Sequence, residues 1–176
     1  MTPVRSFVAA LHLLALPLAA QSVTPASIHS ALVGHWLGTL EYKDYRDPSK
    51  RVTLPTVLDA APGVGGGAAL RFMYDDGPGK TVIGGDRFIL SNDLASLDWT
   101  GVQQTSPELF RVVSLVRSDE AGTIQLIAER EGQDDDKPAT LRETITLGAT
   151  SLTILKEVRP TGADFSFRHV YHFARK

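Results

Sequence analysis

Residues 139–159 read ATLRETITLGATSLTILKEVR, two alternating runs on either side of the turn Gly148–Ser151. Apolar and polar residues alternate with a period of two, which is the period of a strand. Setting Leu147 opposite Leu152 also sets Ile145 opposite Ile154 and Leu141 opposite Val158. The same register sets Glu143 opposite Lys156 and Arg142 opposite Glu157. Opposite charges facing each other across a strand pair contribute about 0.2–1 kcal/mol each. One register that satisfies apolar and charged pairs together predicts an antiparallel hairpin. Glu143 and Lys156 share the more apolar face, so they are expected to point inward. Charges on such a face need each other, water or a ligand.

The pattern continues outward from this hairpin. The final segment alternates Phe165, Phe167, His169, Tyr171 and Phe173 with Ser166, Arg168, Val170 and His172. Its aromatic side is expected to face inward. Upstream, Leu109–Arg117 and Thr123–Glu131 read as longer strands. Shorter ones are expected at Thr81–Ile83, Phe88–Leu90 and Leu97–Thr100. Leu70, Phe72 and Tyr74 alternate with polar neighbours, as do Trp36, Gly38, Leu40 and Tyr42. Gly, Pro, Asp or Ser occupies each break, as hairpins require. Thr24 as cap, Pro25 as first residue and Gly34 as stop predict a short helix before the first strand. The expected fold is all-β: an up-and-down antiparallel barrel of about 8–10 strands after a short N-terminal helix.

Residues 1–20 have the layout of a secretory signal peptide. Arg5 precedes an apolar run that ends in Leu18-Ala19-Ala20. The expected organisation is a signal peptide at 1–20, a helical plug or linker at 21–34 and one barrel domain at 35–176. The expected location is periplasmic or secreted, with no transmembrane segment after cleavage. The 176-residue chain has no cysteine, which excludes disulfides, thiolate metal sites and a cysteine nucleophile. A formal net charge of −2 and scattered basic residues give no sign of a nucleic-acid partner.

Gly34-His35-Trp36 at the start and Arg175 at the end resemble the closure of lipocalin-like, or calycin, barrels, the nearest being small bacterial secreted proteins. That family carries Gly-x-Trp on the first strand and an arginine on the last that packs over the tryptophan. The resemblance implies that Trp36 and Arg175 latch the barrel and that the short helix plugs its base. It also implies a small apolar or amphipathic ligand in the interior. The expected ligand-binding residues are Tyr42, Phe72, Tyr74, Glu143, Lys156, Phe167, His169 and Tyr171, with Trp99 and Phe110 as further lining. Trp36-Leu37-Gly38 together with a last-strand histidine is also similar to haem-binding nitrobindin-like barrels. Thr39-Leu40-Glu41 departs from the glycine-rich strand of that group.

Other chemistry has less support in the sequence. His169 and His172 are three apart in a strand, face opposite sides and cannot share a metal. Asp134-Asp135-Asp136 and Asp75-Asp76 lack the spacing of a calcium loop and sit where turns place aspartate. Gly77-Pro78-Gly79-Lys80-Thr81 lacks the first glycine of a phosphate loop. Ser166 beside a histidine, or Glu143 with Lys156 and His169, has no nucleophile-elbow motif to support it. No catalytic residue, metal or cofactor is assigned. A filled barrel acting as a structural or interaction module stays open, as do a haem-binding barrel and an enzyme. Ligand identity and oligomeric state are not set by the sequence.

Overall fold

The computed structural model describes residues 22–44, 46–47, 49–118 and 122–176. The expected signal peptide lies outside the described residues. A single helix, α1 (Pro25–Leu32), precedes the strands. Its start is set by a reciprocal cap. Thr24 Oγ1 accepts from the Ser27 amide at 3.1 Å, and Ser27 Oγ accepts from the Thr24 amide at 3.0 Å.

Ten strands follow. They are β1 (Gly34–Lys43), β2 (Arg51–Pro62), β3 (Ala68–Asp75), β4 (Thr81–Leu90) and β5 (Ser96–Gly101), then β6 (Leu109–Ser118), β7 (Thr123–Asp134), β8 (Lys137–Leu147), β9 (Ser151–Pro160) and β10 (Ser166–Arg175). Each pairs antiparallel with its neighbour in sequence, and β1 pairs with β10 to close the barrel. This is the up-and-down barrel expected from the alternation. The β8–β9 register is the one that the charge and apolar pairs demand, with Glu143 opposite Lys156 and Arg142 opposite Glu157. The two short strands expected at 81–83 and 88–90 are one strand. Gly84 and Gly85 keep the pleat between them and pair with Phe72 and Arg71.

Closure depends on two glycines. Gly34 has φ +149, and a Cβ there would lie 2.7 Å from Arg175 Nη1. Gly38 pairs with Phe173 across the seam, where a Cβ would lie 1.8 Å from the His172 carbonyl oxygen. No side chain fits at Gly38 without moving the last strand. Trp36 stands opposite Arg175, whose guanidinium carbon lies 4.2 Å from the indole ring. Arg175 Nη1 donates to the Val33 carbonyl at 2.8 Å, and Nη2 donates to Ala31 O. Trp36 Nε1 donates to Leu32 O at 2.8 Å. One arginine and one indole therefore cap the carbonyl end of α1 and hold it against the barrel seam.

The interior is solid at this end. Ile28 and Leu32 of α1 meet Trp36, Leu58, Phe88 and Leu97, all buried. His29 Nε2 accepts from the Leu90 amide at 3.0 Å, and its edge meets Phe88. That bond requires an unprotonated Nε2, and burial holds the imidazole below its ordinary value.

One expectation about β10 fails. Its pairing with β9 shifts between Phe167 and His169, so His169 faces Lys156 while Phe167 faces Glu157. The bulge at Arg168 adds a residue and reverses the faces beyond it. Phe167 and Phe165 therefore leave the interior. The Arg51 guanidinium lies 3.6 Å from the Phe167 ring, and that of Arg142 lies 3.5 Å from Phe165. Strand alternation alone carries no signal for such a shift, because both faces of Phe165–Phe173 can pack an aromatic ring.

Candidate functional site

Alternation decides which side chains reach the interior at the end away from α1. On β8 the inward row Leu141, Glu143 and Ile145 carries one charge, and on β9 the row Ile154, Lys156 and Val158 carries another. Glu143 Oε1 and Lys156 Nζ are 3.7 Å apart, and Glu143 is only 6% exposed. Among the described residues none donates a hydrogen bond to Glu143. The register of β7 with β8 sets Arg130 opposite Leu141, so Arg130 is inward as well. Its Nη2 lies 2.5 Å from Glu108 Oε1, and its guanidinium lies 5.2 Å from the Phe110 ring. Glu108 comes from the segment just before β6 and is held there by its own amide, which donates to Thr100 Oγ1 at 2.7 Å. Asp86 projects inward from β4 and accepts from Trp99 Nε1 at 2.9 Å.

Asp86, Glu108, Glu143 and Lys156 line a cavity of about 190 Å3 together with Phe72, Trp99, Phe110, Ile154 and Tyr171, and Arg130 stands behind Glu108. Tyr74 Oη and Tyr171 Oη are 2.9 Å apart, a hydrogen bond from one barrel wall to the other. Beyond that bond lies a second space of about 340 Å3, lined by Leu40, Tyr42, Leu54 and Val82. His169 borders both spaces, and its ring stands edge-on to Tyr171 with centroids 5.4 Å apart.

Burial dominates the proton affinities here. It pushes Glu143 up to about 7, against the opposing pull of Lys156 and Arg130. It raises Asp86, with the Trp99 hydrogen bond pulling the other way. It lowers His169 to about 3, and Lys156 and Arg168 add to that effect. It raises Tyr74 and lifts Tyr171 well above the ordinary phenol value, so both hydroxyls stay protonated. The site is thus a low-dielectric chamber with mixed charges, a neutral imidazole and two phenols.

Of the residues expected from the sequence, Phe72, Glu143, Lys156, His169 and Tyr171 lie together around the inner cavity. Tyr42 and Tyr74 lie at the outer space, and Phe167 faces away from both. Asp86, Glu108 and Arg130 were not expected. Arg130 was within reach of the same register argument, extended by one hairpin to Ile124, Leu126 and Ala128. Asp86 was hidden by reading Gly84-Gly85 as a break. Glu108 lies in a loop where alternation is silent. Ser166 Oγ donates to Val158 O, and His172 is on the outer face. Arg168 reaches across to Asp134 and Asp135, each at 3.2 Å. Among the described residues no group of histidine and carboxylate side chains is arranged to hold a metal. No described helix is long and apolar enough to cross a membrane.

No protein-family model matches the chain, and no curated protein matches it. Among solved structures, the crystal structure of Rv2717c from M. tuberculosis is similar, with a TM-score of 0.59. The match covers 88% of this chain and 99% of that one at 14% sequence identity. At that identity the likeness concerns the fold: the chain is a closed ten-stranded antiparallel barrel, lipocalin-like in architecture.

Proposed function

We propose that this chain is an exported, periplasmic or secreted barrel that binds a small amphipathic ligand in its interior. One observation carries the reading. The end plugged by α1 is packed solid, whereas the other end keeps a cavity of about 190 Å3 among buried charges and aromatic rings. A barrel with no ligand would be more stable with apolar side chains there. The outer space, with Leu40, Leu54 and Val82, would take the apolar part of the ligand, and the inner cavity its polar end. Export is supported by the leader-like residues 1–20.

Native mass spectrometry of protein purified gently from the periplasm tests this. A small mass that co-purifies and leaves on denaturation is the expected result. An empty spectrum, together with no thermal shift across a panel of small amphiphiles, would sink the reading.

A haem suits this chamber poorly. His169 has the right donor atom, but Tyr171 packs against its ring and Lys156 and Arg168 lie beside it. The Tyr74–Tyr171 bond also divides the space a flat macrocycle would need. A Soret band on adding hemin would overturn this judgement. An interaction module is the second reading, favoured by the exposed side chains Ile83, Val102, Leu109 and Val116 on or beside β4 to β6. Concentration-dependent self-association, lost on changing these residues to serine, would support it.

A further inference from the structure

We propose that the ligand is cationic at one end, its ammonium group seated in the inner cavity; this rests on the ligand-binding reading above. The inference comes from charge, geometry and wall chemistry taken together.

Three carboxylates line the cavity: Asp86, Glu108 and Glu143. Arg130 pairs with Glu108 at 2.5 Å, and Lys156 stands 3.7 Å from Glu143. Asp86 is left with the neutral N–H of Trp99. His169, held neutral by burial, adds no charge. With Glu143 ionised, as it is above about pH 7, the chamber therefore carries one carboxylate more than Arg130 and Lys156 balance. An ionised carboxylate in an apolar setting is costly until a cation or a proton joins it.

Glu143 supplies a second, separate observation. It is more than nine-tenths buried and borders the cavity, yet no described residue gives it a hydrogen bond. Its oxygens are open to donors that a ligand would bring. The walls supply a third. Phe72, Trp99, Phe110 and Tyr171 line the same space. Aromatic walls with nearby carboxylates are the chemistry that recognises ammonium groups. An anionic head would meet three carboxylates, with Arg130 already engaged by Glu108 and Lys156 beside Glu143. A neutral head would leave the surplus charge unanswered.

Size agrees. A volume of about 190 Å3 equals roughly six waters at about 30 Å3 each, enough for a compact alkylammonium head. The apolar remainder of the ligand would pass Tyr74 and Tyr171 toward Leu40 and Leu54.

The test uses three probes of nearly the same shape: choline, its neutral carbon analogue neohexyl alcohol, and the anion tert-butylacetate. Calorimetry on the wild-type protein at mildly alkaline pH compares them without any variant having to fold. Choline is expected to bind roughly tenfold or more tighter than the alcohol, and the anion weakest. Asp86→Asn keeps the shape and an acceptor for Trp99 but removes the surplus charge. It is expected to weaken choline roughly tenfold and to leave the alcohol unchanged. Equal or tighter binding of the alcohol or the anion would overturn the cationic assignment, and so would an Asp86→Asn variant with an unchanged choline-to-alcohol ratio. Either result leaves the ligand-binding reading standing. Failure of all three probes overturns the cationic head, and ligand binding falls as well only if the native mass spectrum is empty and no amphiphile gives a thermal shift.

Discussion

Glu143→Gln should stabilise this barrel, and only above a defined pH. Burial pushes the Glu143 carboxyl from 4.5 to about 7. In the unfolded chain the group releases its proton near its ordinary value; in the barrel it holds it until near neutrality. Between those values the folded state binds one proton more than the unfolded state. Stability from this group is therefore full below pH 4.5 and is lost as pH rises toward about 7. The slope is about 1.4 kcal/mol per pH unit, and the full loss is about 3 kcal/mol. Glutamine keeps the shape of the protonated acid and cannot ionise. The two proteins should match in stability in acid, and the variant should lead by about 3 kcal/mol at mildly alkaline pH.

His169 makes the difference measurement necessary. Its value falls from 6.5 to about 3, so the unfolded state binds the extra proton across that interval. Its contribution is full above pH 6.5 and is lost as pH falls. Between pH 4.5 and 6.5 the two groups act with opposite sign and nearly cancel. Wild-type stability is expected to be almost flat there with respect to this pair. Glu143→Gln should expose the His169 slope, with stability rising with pH. Urea unfolding at unit pH steps, with the slope m checked for constancy, measures both profiles. A stability difference that does not change with pH would show that Glu143 ionises as it does in water. The account of a dry chamber would then be wrong.

Two further substitutions test the closure. Gly38→Ala puts a Cβ into the His172 carbonyl oxygen, so β1 and β10 must separate; the expected cost is about 3 kcal/mol or more, read from the urea midpoint, and a loss under about 1 kcal/mol would show the seam to be loose. Arg175→Ala removes the donors to Val33 O and Ala31 O and the contact over Trp36. It should cost about 2–4 kcal/mol and speed amide exchange in α1 more than in β7 or β8, and uniform exchange would argue against a latch. Tyr171→Phe breaks the bond to Tyr74; a loss of about 1 kcal/mol is expected, with faster ligand entry where a ligand has been found.

What could be read from the chain followed from local rules. Period-two alternation and turn residues determine the meander. The opposed charges Glu143–Lys156 and Arg142–Glu157 fix a register, because a slip of one residue would place every pair on the wrong face. Gly34, Trp36 and Arg175 signal closure, since each is needed by a contact far away in sequence. The misreadings arose where spacing changes without a change of composition. The bulge at Arg168 moves Phe167 outward, although its aromatic character suits either face. Gly84-Gly85 resembles a turn but lies flat in β4, leaving room for the Tyr74 ring. Asp86 and Glu108 then enter the cavity from a strand and a loop that no alternating run marks.

The two ends of the barrel answer to different physics, which is why truncation near α1 and removal of a charge at the far end should differ in sign. Near α1, the core is mostly apolar, and Trp36 Nε1 and His29 Nε2 are taken up by backbone groups. Truncation there removes contacts and is expected to destabilise. At the far end, burial outweighs the Trp99 hydrogen bond at Asp86 and the Lys156 charge at Glu143, so removing charge is expected to stabilise. A sequence selected for stability alone would have filled this volume with leucine and phenylalanine, as it has near Leu58 and Phe88. Groups that weaken a fold persist where they serve something else, and binding sites are where such conflicts occur. The hairpin at 139–159 thus contains both parts of the barrel. Ile145, Leu147 and Leu152 belong to the core, while Glu143 and Lys156, within a few residues of them, belong to the chamber.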